Sequence, residues 1–290
     1  MERYQIGDVE FIWKDGNFPL KQSRYMQQFL VQESETTTLN DEIVYETHFA
    51  ELEKYKGEKL LQKNGLYELY DTAEGKIVIY HWTTCRFAFG FRINDLEKGN
   101  VVPCYVNPVL NELDPINNVK FLGSSGLHSK LLQREAIVFH SAYIDWNGKG
   151  ILFAGQSGIG KSTQADLWVK YAGAEIINGD RALIRCRNKE WNVYGYPCCG
   201  SSDICINRTL PLSAIVLLEQ GKENQICPLS TGQKFRALFT GSEMYLWNEI
   251  EMQRVSKIVQ ELISEVKIIK LVCRPDAEAV EVLRTELEKE

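Results

Sequence analysis

Nine consecutive residues carry the clearest chemistry in this chain: Gly155, Gln156, Ser157, Gly158, Ile159, Gly160, Lys161, Ser162 and Thr163. Gly155 to Ser162 satisfies the pattern G-x-x-x-x-G-K-[ST] without a mismatch. The pattern joins the residue types a phosphate needs. Glycines let a backbone curl so that its N–H groups point inward. A helix beginning near Lys161 adds the positive end of its dipole. Lys161 can reach β- and γ-phosphates, and the Ser162 hydroxyl can hold Mg²⁺. The nine residues therefore predict a nucleotide-phosphate site.

The neighbouring elements must hold that loop in place. The apolar run 150–154 reads as a strand leading into it. Ala165, Trp168 and Ala172 recur at helical spacing, which predicts a helix over 161–172 ending near Gly173. The next strand, 174–178, leads to Asp180, which then falls at the carboxyl edge where α/β proteins bind ligands. A carboxylate there either bridges to Mg²⁺ through water or accepts a proton from an attacking hydroxyl. Glu219 follows the strand 213–218 as a second acid, although 219–222 reads better as an exposed turn. Arg208 either stabilises a transferring phosphoryl group or is an ordinary surface arginine. Further strands are expected at 141–145, 182–186, 193–196 and 268–273, with helices at 233–239, 244–265 and 277–289. Alternating strands and helices argue an α/β domain.

The preceding part has a different texture. Segments 9–13, 43–47, 66–70 and 76–82 have the alternation or β-branched and aromatic content of strands, with a hairpin turn at 71–75. Another strand pair is expected at 85–92 and 101–107. Pro108 and Pro115 mark a linker or long loop over 106–118, followed by a helix over 122–139. The chain thus divides into a β-rich domain, 1–117, and a P-loop domain, 118–290.

Composition narrows the function. The 290 residues are 44% hydrophobic and 25% charged, enough apolar material for real cores. Lys plus Arg is 33 against 39 for Asp plus Glu, a net charge of −6 that gives no global attraction for nucleic acid. No apolar run is long enough to span a bilayer, and the first residues carry no secretory apolar stretch. Eight scattered cysteines read as reduced thiols of a cytoplasmic protein. Cys198, Cys199 and Cys205 cluster without a paired C-x-x-C or a nearby histidine, a poor zinc pattern. Trp191, Tyr194 and Tyr196 belong in the core or line a site. Ser201, Ser202 and Asp203 could border an acceptor pocket.

The run from His140 through Ser162, followed by Asn178-Gly179-Asp180, resembles the catalytic domain of HPr kinase/phosphorylase and its relatives. Those enzymes carry a histidine, a β-hairpin, a loop of the form G-x-S-G-x-G-K-S and an aspartate after the next strand. Their core is similar to that of phosphoenolpyruvate carboxykinase. The resemblance covers roughly 140–275. It implies that residues 155–163 bind nucleotide phosphates, that Ser162 binds magnesium, and that Asp180 is the general base. It further implies that His140 lies near Asp180 and orients it. Arg181 stands where those enzymes show a second aspartate, and Thr163 where they show a glutamate. Some relatives of this kind phosphorylate ribosomally made peptides.

The expectation is an α/β P-loop kinase domain preceded by a β-rich domain. It would use ATP and Mg²⁺ to phosphorylate a hydroxyl, on Ser or Thr of a peptide or protein ahead of a small alcohol. The catalytic set would be Asp180, Lys161, His140 and Arg208, with Ser162 and Asp180 at the metal. An NTPase or nucleotide sensor without an acceptor is the alternative. Nucleic acid and membrane are not expected partners; homo-oligomers remain open.

Overall fold

The computed structural model of the chain describes residues 2–14, 24–31, 42–63, 67–73, 75–82, 87–92, 97–107 and 118–289. These form two compact units, Met1–Lys130 and Leu131–Glu290.

Among the described residues the first unit has eight strands: β1 (Glu2–Ile6), β2 (Val9–Lys14), β3 (Ile43–Phe49), β4 (Glu58–Lys63), β5 (Tyr67–Thr72), β6 (Gly75–Trp82), β7 (Phe87–Arg92) and β8 (Val101–Val106). Their order in the sheet is β1-β2-β3-β8-β7-β6-β5-β4. Pairing is parallel at β2–β3 and β3–β8 and antiparallel elsewhere. The hairpin expected at 71–75 joins β5 to β6, with Thr72 opposite Gly75. A short helix, α1 (Arg24–Gln27), and a 3-10 turn, Leu52–Tyr55, accompany the sheet. Most of the expected linker, 108–117, and Cys85 lie outside the described residues.

The expected helix over 122–139 is corrected. The segment forms two short helices, α2 (Asn118–Ser124) and α3 (Leu127–Leu132), and then enters a strand at Ala136. Glu135 takes a positive φ of 56°, which ends helical geometry, and Ala136–Phe139 are all fully buried in the sheet. The division between units also falls later than the prolines suggest. Phe121 of α2 packs edge-on against Trp13 and Tyr45, with centroids 4.2 and 4.8 Å away, and Lys130 Nζ donates to Gly99 O at 2.8 Å. Those contacts draw 118–130 into the first unit.

The second unit is a mixed sheet of eight strands: β9 (Ala136–Trp146), β10 (Lys149–Ala154), β11 (Glu175–Asn178), β12 (Arg181–Arg187), β13 (Glu190–Gly195), β14 (Thr209–Gln220), β15 (Gln225–Cys227) and β16 (Lys267–Cys273). β10 lies between antiparallel β9 and parallel β14, and β16 continues parallel beyond β14. β11 and β12 run one after the other along the far side of β9, separated by the turn at Gly179–Asp180.

Four helices cover this sheet: α4 (Lys161–Ala172), α5 (Thr231–Gly241), α6 (Glu249–Glu265) and α7 (Ala277–Leu287). α4 has the bounds its sequence predicts. α6 starts five residues later than expected because Asn248 caps it, accepting from the N–H groups of Ile250 and Glu251. Strand alternation decides the layers. Ile151 and Phe153 of β10 join Trp168 of α4 and Val280 and Leu283 of α7 on one face. Leu152 and Ala154 join Leu238 of α5 and Val255, Ile258 and Leu262 of α6 on the other. Both faces are buried along Gly150–Ala154, so this stretch of β10 is apolar, and the chain returns to solvent at Gly155, just past its carboxyl end.

Candidate nucleotide and phosphoryl-transfer site

The glycine-rich loop leaves the carboxyl end of β10 and enters α4. A side chain at Gly155 would bring a Cβ within 3.0 Å of Ile159 Cγ2 and 3.4 Å of Leu218 O, at a φ of 148°. Gly160 sits at the helix start with φ 112°, and no side chain caps α4. The N–H groups of Lys161, Ser162 and Thr163 therefore begin the helix without side-chain acceptors, the arrangement that attracts an anion. Gln156, Ser157, Gly158, Ser162 and Thr163 are exposed, whereas Ile159 is half-buried against the α4 core.

Lys161 is buried, and its ammonium donates to Gly155 O at 3.2 Å and Gln156 O at 3.4 Å. Burial pushes its pKa down, and the negative charge of Asp180 opposes that. The lysine thus folds back onto carbonyls of its own loop, weak contacts that a phosphate oxygen outcompetes.

Asp180 lies on the same edge. Ala154 faces Ser141 across β9–β10, and the Ser141 N–H donates to Asp180 O at 3.0 Å. Two strand spacings place the Asp180 backbone about 10 Å from the root of the loop. The turn is fixed by Asn178, which is fully buried. Its side-chain oxygen accepts from the Asp180 and Arg181 N–H groups, each at 2.9 Å. Its amide nitrogen donates to Tyr196 O at 2.6 Å and Cys198 O at 3.2 Å. Asp180 Oδ1 lies 3.1 Å from His140 Nε2, and Arg181 Nη1 donates to Oδ2 at 2.8 Å. The His140 hydrogen bond holds the Asp180 carboxyl below the usual carboxylate range; Arg181, His140 and Lys161 pull the same way, and burial opposes them. Arg181 is held in turn by the Glu243 carboxylate and by Cys198 Sγ at 2.8 Å.

The structure brings together Asp180, His140 and, within electrostatic reach, Lys161. Arg208 is not with them, which corrects its assignment to the catalytic set. Its guanidinium binds Glu175 and, at 3.3 Å, Asp145. Asp145 lies opposite Gly150, at the amino end of β10, four residues along β9 from Ser141. At about 3.3 Å per residue that is about 13 Å from the Asp180 row. Glu219 is also reassigned. It belongs to β14 rather than a turn, and pairs with Lys270 at 2.7 Å. Trp191, Tyr194 and Tyr196 are core residues.

The loop 196–206 lies along β11: Cys205 bridges Asn178, and the Ile206 N–H donates to Ile177 O at 2.9 Å. Two of its thiols, Cys198 and Cys205, are not activated. Burial pushes Cys205 up to about 12 and raises Cys198 against the pull of Arg181. Ser202 packs against Gly179, and Gly200 lies directly on the Asp180 side chain.

Three participants escaped the sequence in whole or in part. Asn178-Gly179 before an acid is a local signal for a side-chain-to-backbone turn. Nothing near Arg181 or Gly200 in the sequence announces Glu243 or Asp180 as their partners.

The two units define a mixed α/β protein with a glycine-rich loop at the carboxyl end of a buried parallel strand. Residues 104–274 match the family described as "SynChlorMet cassette protein ScmC", and the chain belongs to that family. No curated protein matches it. A solved Hpr(Ser) kinase/phosphatase from Coxiella burnetii is similar at 12% identity and a TM-score of 0.31, covering 52% of this chain and 92% of that one. A score of that size does not define a shared fold, so the function is argued from the loop and its surroundings. Among the described residues no helix is long and apolar enough to cross a membrane.

Proposed function

We propose that the chain is an ATP-dependent phosphotransferase whose acceptor is a hydroxyl. The observation that carries this reading is one edge of one sheet. It presents an uncapped helix N-terminus with a buried lysine, and, with its backbone about 10 Å from the root of that loop, an aspartate whose carboxylate is kept ionised by a histidine and an arginine. The loop amides and Lys161 bind the triphosphate. Asp180, ionised at neutral pH, accepts the acceptor's proton. The acceptor oxygen forms its bond to the γ-phosphorus as the bond to the β–γ bridging oxygen breaks, and ADP leaves. His140 and Arg181 hold the Asp180 carboxylate.

Mg²⁺ fits this edge. The exposed Ser162 hydroxyl and the Asp180 carboxylate are hard oxygen donors of the kind that bind it with waters completing the shell. When bound, the ion neutralises charge on the β- and γ-phosphates. The acceptor is read as Ser or Thr of a peptide or protein, with a small alcohol as the alternative.

Lys161→Ala tests the nucleotide reading. Calorimetry is expected to show a large loss of MgATP affinity with adenosine unchanged; equal losses for both refute it. Labelled ATP supplied with peptides and small alcohols then separates the classes. Transfer to a Ser-containing peptide supports the kinase, whereas phosphate release without any acceptor supports an NTPase.

A further inference from the structure

The phosphate loop is also held from outside, by the end of the neighbouring strand. β14 finishes at Gln220, two residues past Leu218, whose carbonyl lies against Gly155. The exposed Gln220 carboxamide nitrogen lies 3.4 Å from both Gly158 O and Ile159 O. A carboxamide has two N–H donors, so one serves each carbonyl.

The consequence follows from peptide geometry. In a trans peptide the C=O and the following N–H point to opposite sides. Turning the carbonyls of Gly158 and Ile159 toward β14 turns the N–H groups of Ile159 and Gly160 away from it. The Ile159 N–H closes onto Gln156 O at 3.2 Å. The Gly160 N–H is left turned away from β14. The other half of the loop is held differently, by Lys161 on the carbonyls of Gly155 and Gln156. Those two bonds are lost when Lys161 moves onto a phosphate. The Gln220 bonds are not, because Gln220 holds the outer side of the loop.

We propose that Gln220 is a positioning residue for the nucleotide: its carboxamide fixes the Gly158–Ile159 carbonyls so that the Gly160 N–H faces the phosphates. Gln220 touches only backbone and no ligand. This inference rests on the phosphate-loop reading.

The test is calorimetric titration of the full chain with MgADP, MgATP and adenosine. Gln220→Met keeps length and loses the donor; Gln220→Lys keeps a donor. Without those bonds the loop must be ordered as the nucleotide binds, so Gln220→Met is expected to weaken both nucleotides by about five- to twentyfold. Adenosine affinity, or its absence, and the melting temperature of the free chain are expected to match wild type. Gln220→Lys is expected to bind both nucleotides at least within about threefold of wild type. Nucleotide affinity of Gln220→Met within twofold of wild type overturns the inference. So do equal losses in the Met and Lys variants, or a loss in Gln220→Met matched by a lowered melting temperature. If wild type binds MgATP no better than adenosine, the phosphate-loop reading itself has failed, whatever the variants do.

Discussion

Replacing Gly200 by alanine presses directly on Asp180. Gly200 has a φ of 58°, and an added Cβ would lie 2.9 Å from Asp180 Cγ, 3.0 Å from its Cβ and 3.1 Å from Oδ1. Carbon–carbon contacts need about 3.5 Å or more, so the carboxylate must retreat by about 0.6 Å or the loop must lift by the same amount. Either movement strains the bonds from His140 at 3.1 Å and Arg181 at 2.8 Å. The left-handed backbone alone costs an alanine about 1–2 kcal/mol, and the overpacking adds about 1–3 kcal/mol. Gly148→Ala separates the two contributions, because Gly148 has a φ of 75° and open space within 4 Å. Urea unfolding is expected to show a loss of about 1–2 kcal/mol in Gly148→Ala and about 2–5 kcal/mol in Gly200→Ala. Turnover of ATP is expected to be unchanged in the first and reduced by about ten- to a hundredfold in the second, the scale of a misplaced catalytic group. Nucleotide affinity stays within a few-fold in both. Equal stability losses in the two variants, with equal turnover, would show that the 196–206 loop does not rest on Asp180, and the geometry of the site would have to be redrawn.

Asp180→Asn should keep MgATP affinity within a few-fold and reduce turnover by about 10²–10⁴-fold; survival of turnover with an altered Mg²⁺ requirement removes Asp180 as the base and leaves it at the metal alone. The same variant changes acid stability. Because the folded Asp180 carboxyl is depressed, its contribution is present above the unfolded value near ~3.9 and is lost as pH falls through the folded value. The stability difference between wild type and Asp180→Asn is therefore expected to shrink below about pH 4, and a constant difference there counts against the His140 and Arg181 contacts. Arg208→Ala should cost no more than about 1 kcal/mol, since its carboxylate partners include an exposed one, and should leave turnover intact. A hundredfold loss of turnover would return Arg208 to the catalytic set.

Local sequence determined the parts of this site that need only neighbours. The spacing of Gly155, Gly158, Gly160, Lys161 and Ser162 specifies a backbone that must curl and then start a helix, and α4 occupies Lys161–Ala172 as its apolar spacing requires. Asp180 was legible too, because a short strand followed by Asn-Gly-Asp must turn at the strand's end. What only tertiary structure decided is which groups meet those residues. The Glu243 carboxylate reaches Arg181 from 62 residues away, and Gln220 reaches Gly158 from 62 residues away, through sheet neighbours that strand spacing does not name. Arg208 was misplaced for the same reason. Its neighbours in sequence say that it precedes a strand, but the direction in which β14 runs beside β10 sets it at the end of the sheet away from the loop. The helix expected over 122–139 failed at Ala136 because burial on both sides of β9 outweighed local helical preference. Turns and the glycine-rich loop answer to adjacent residues, whereas the strand at Ala136 and the partners of each side chain answer to strand order and register, which are fixed only when the whole sheet is closed.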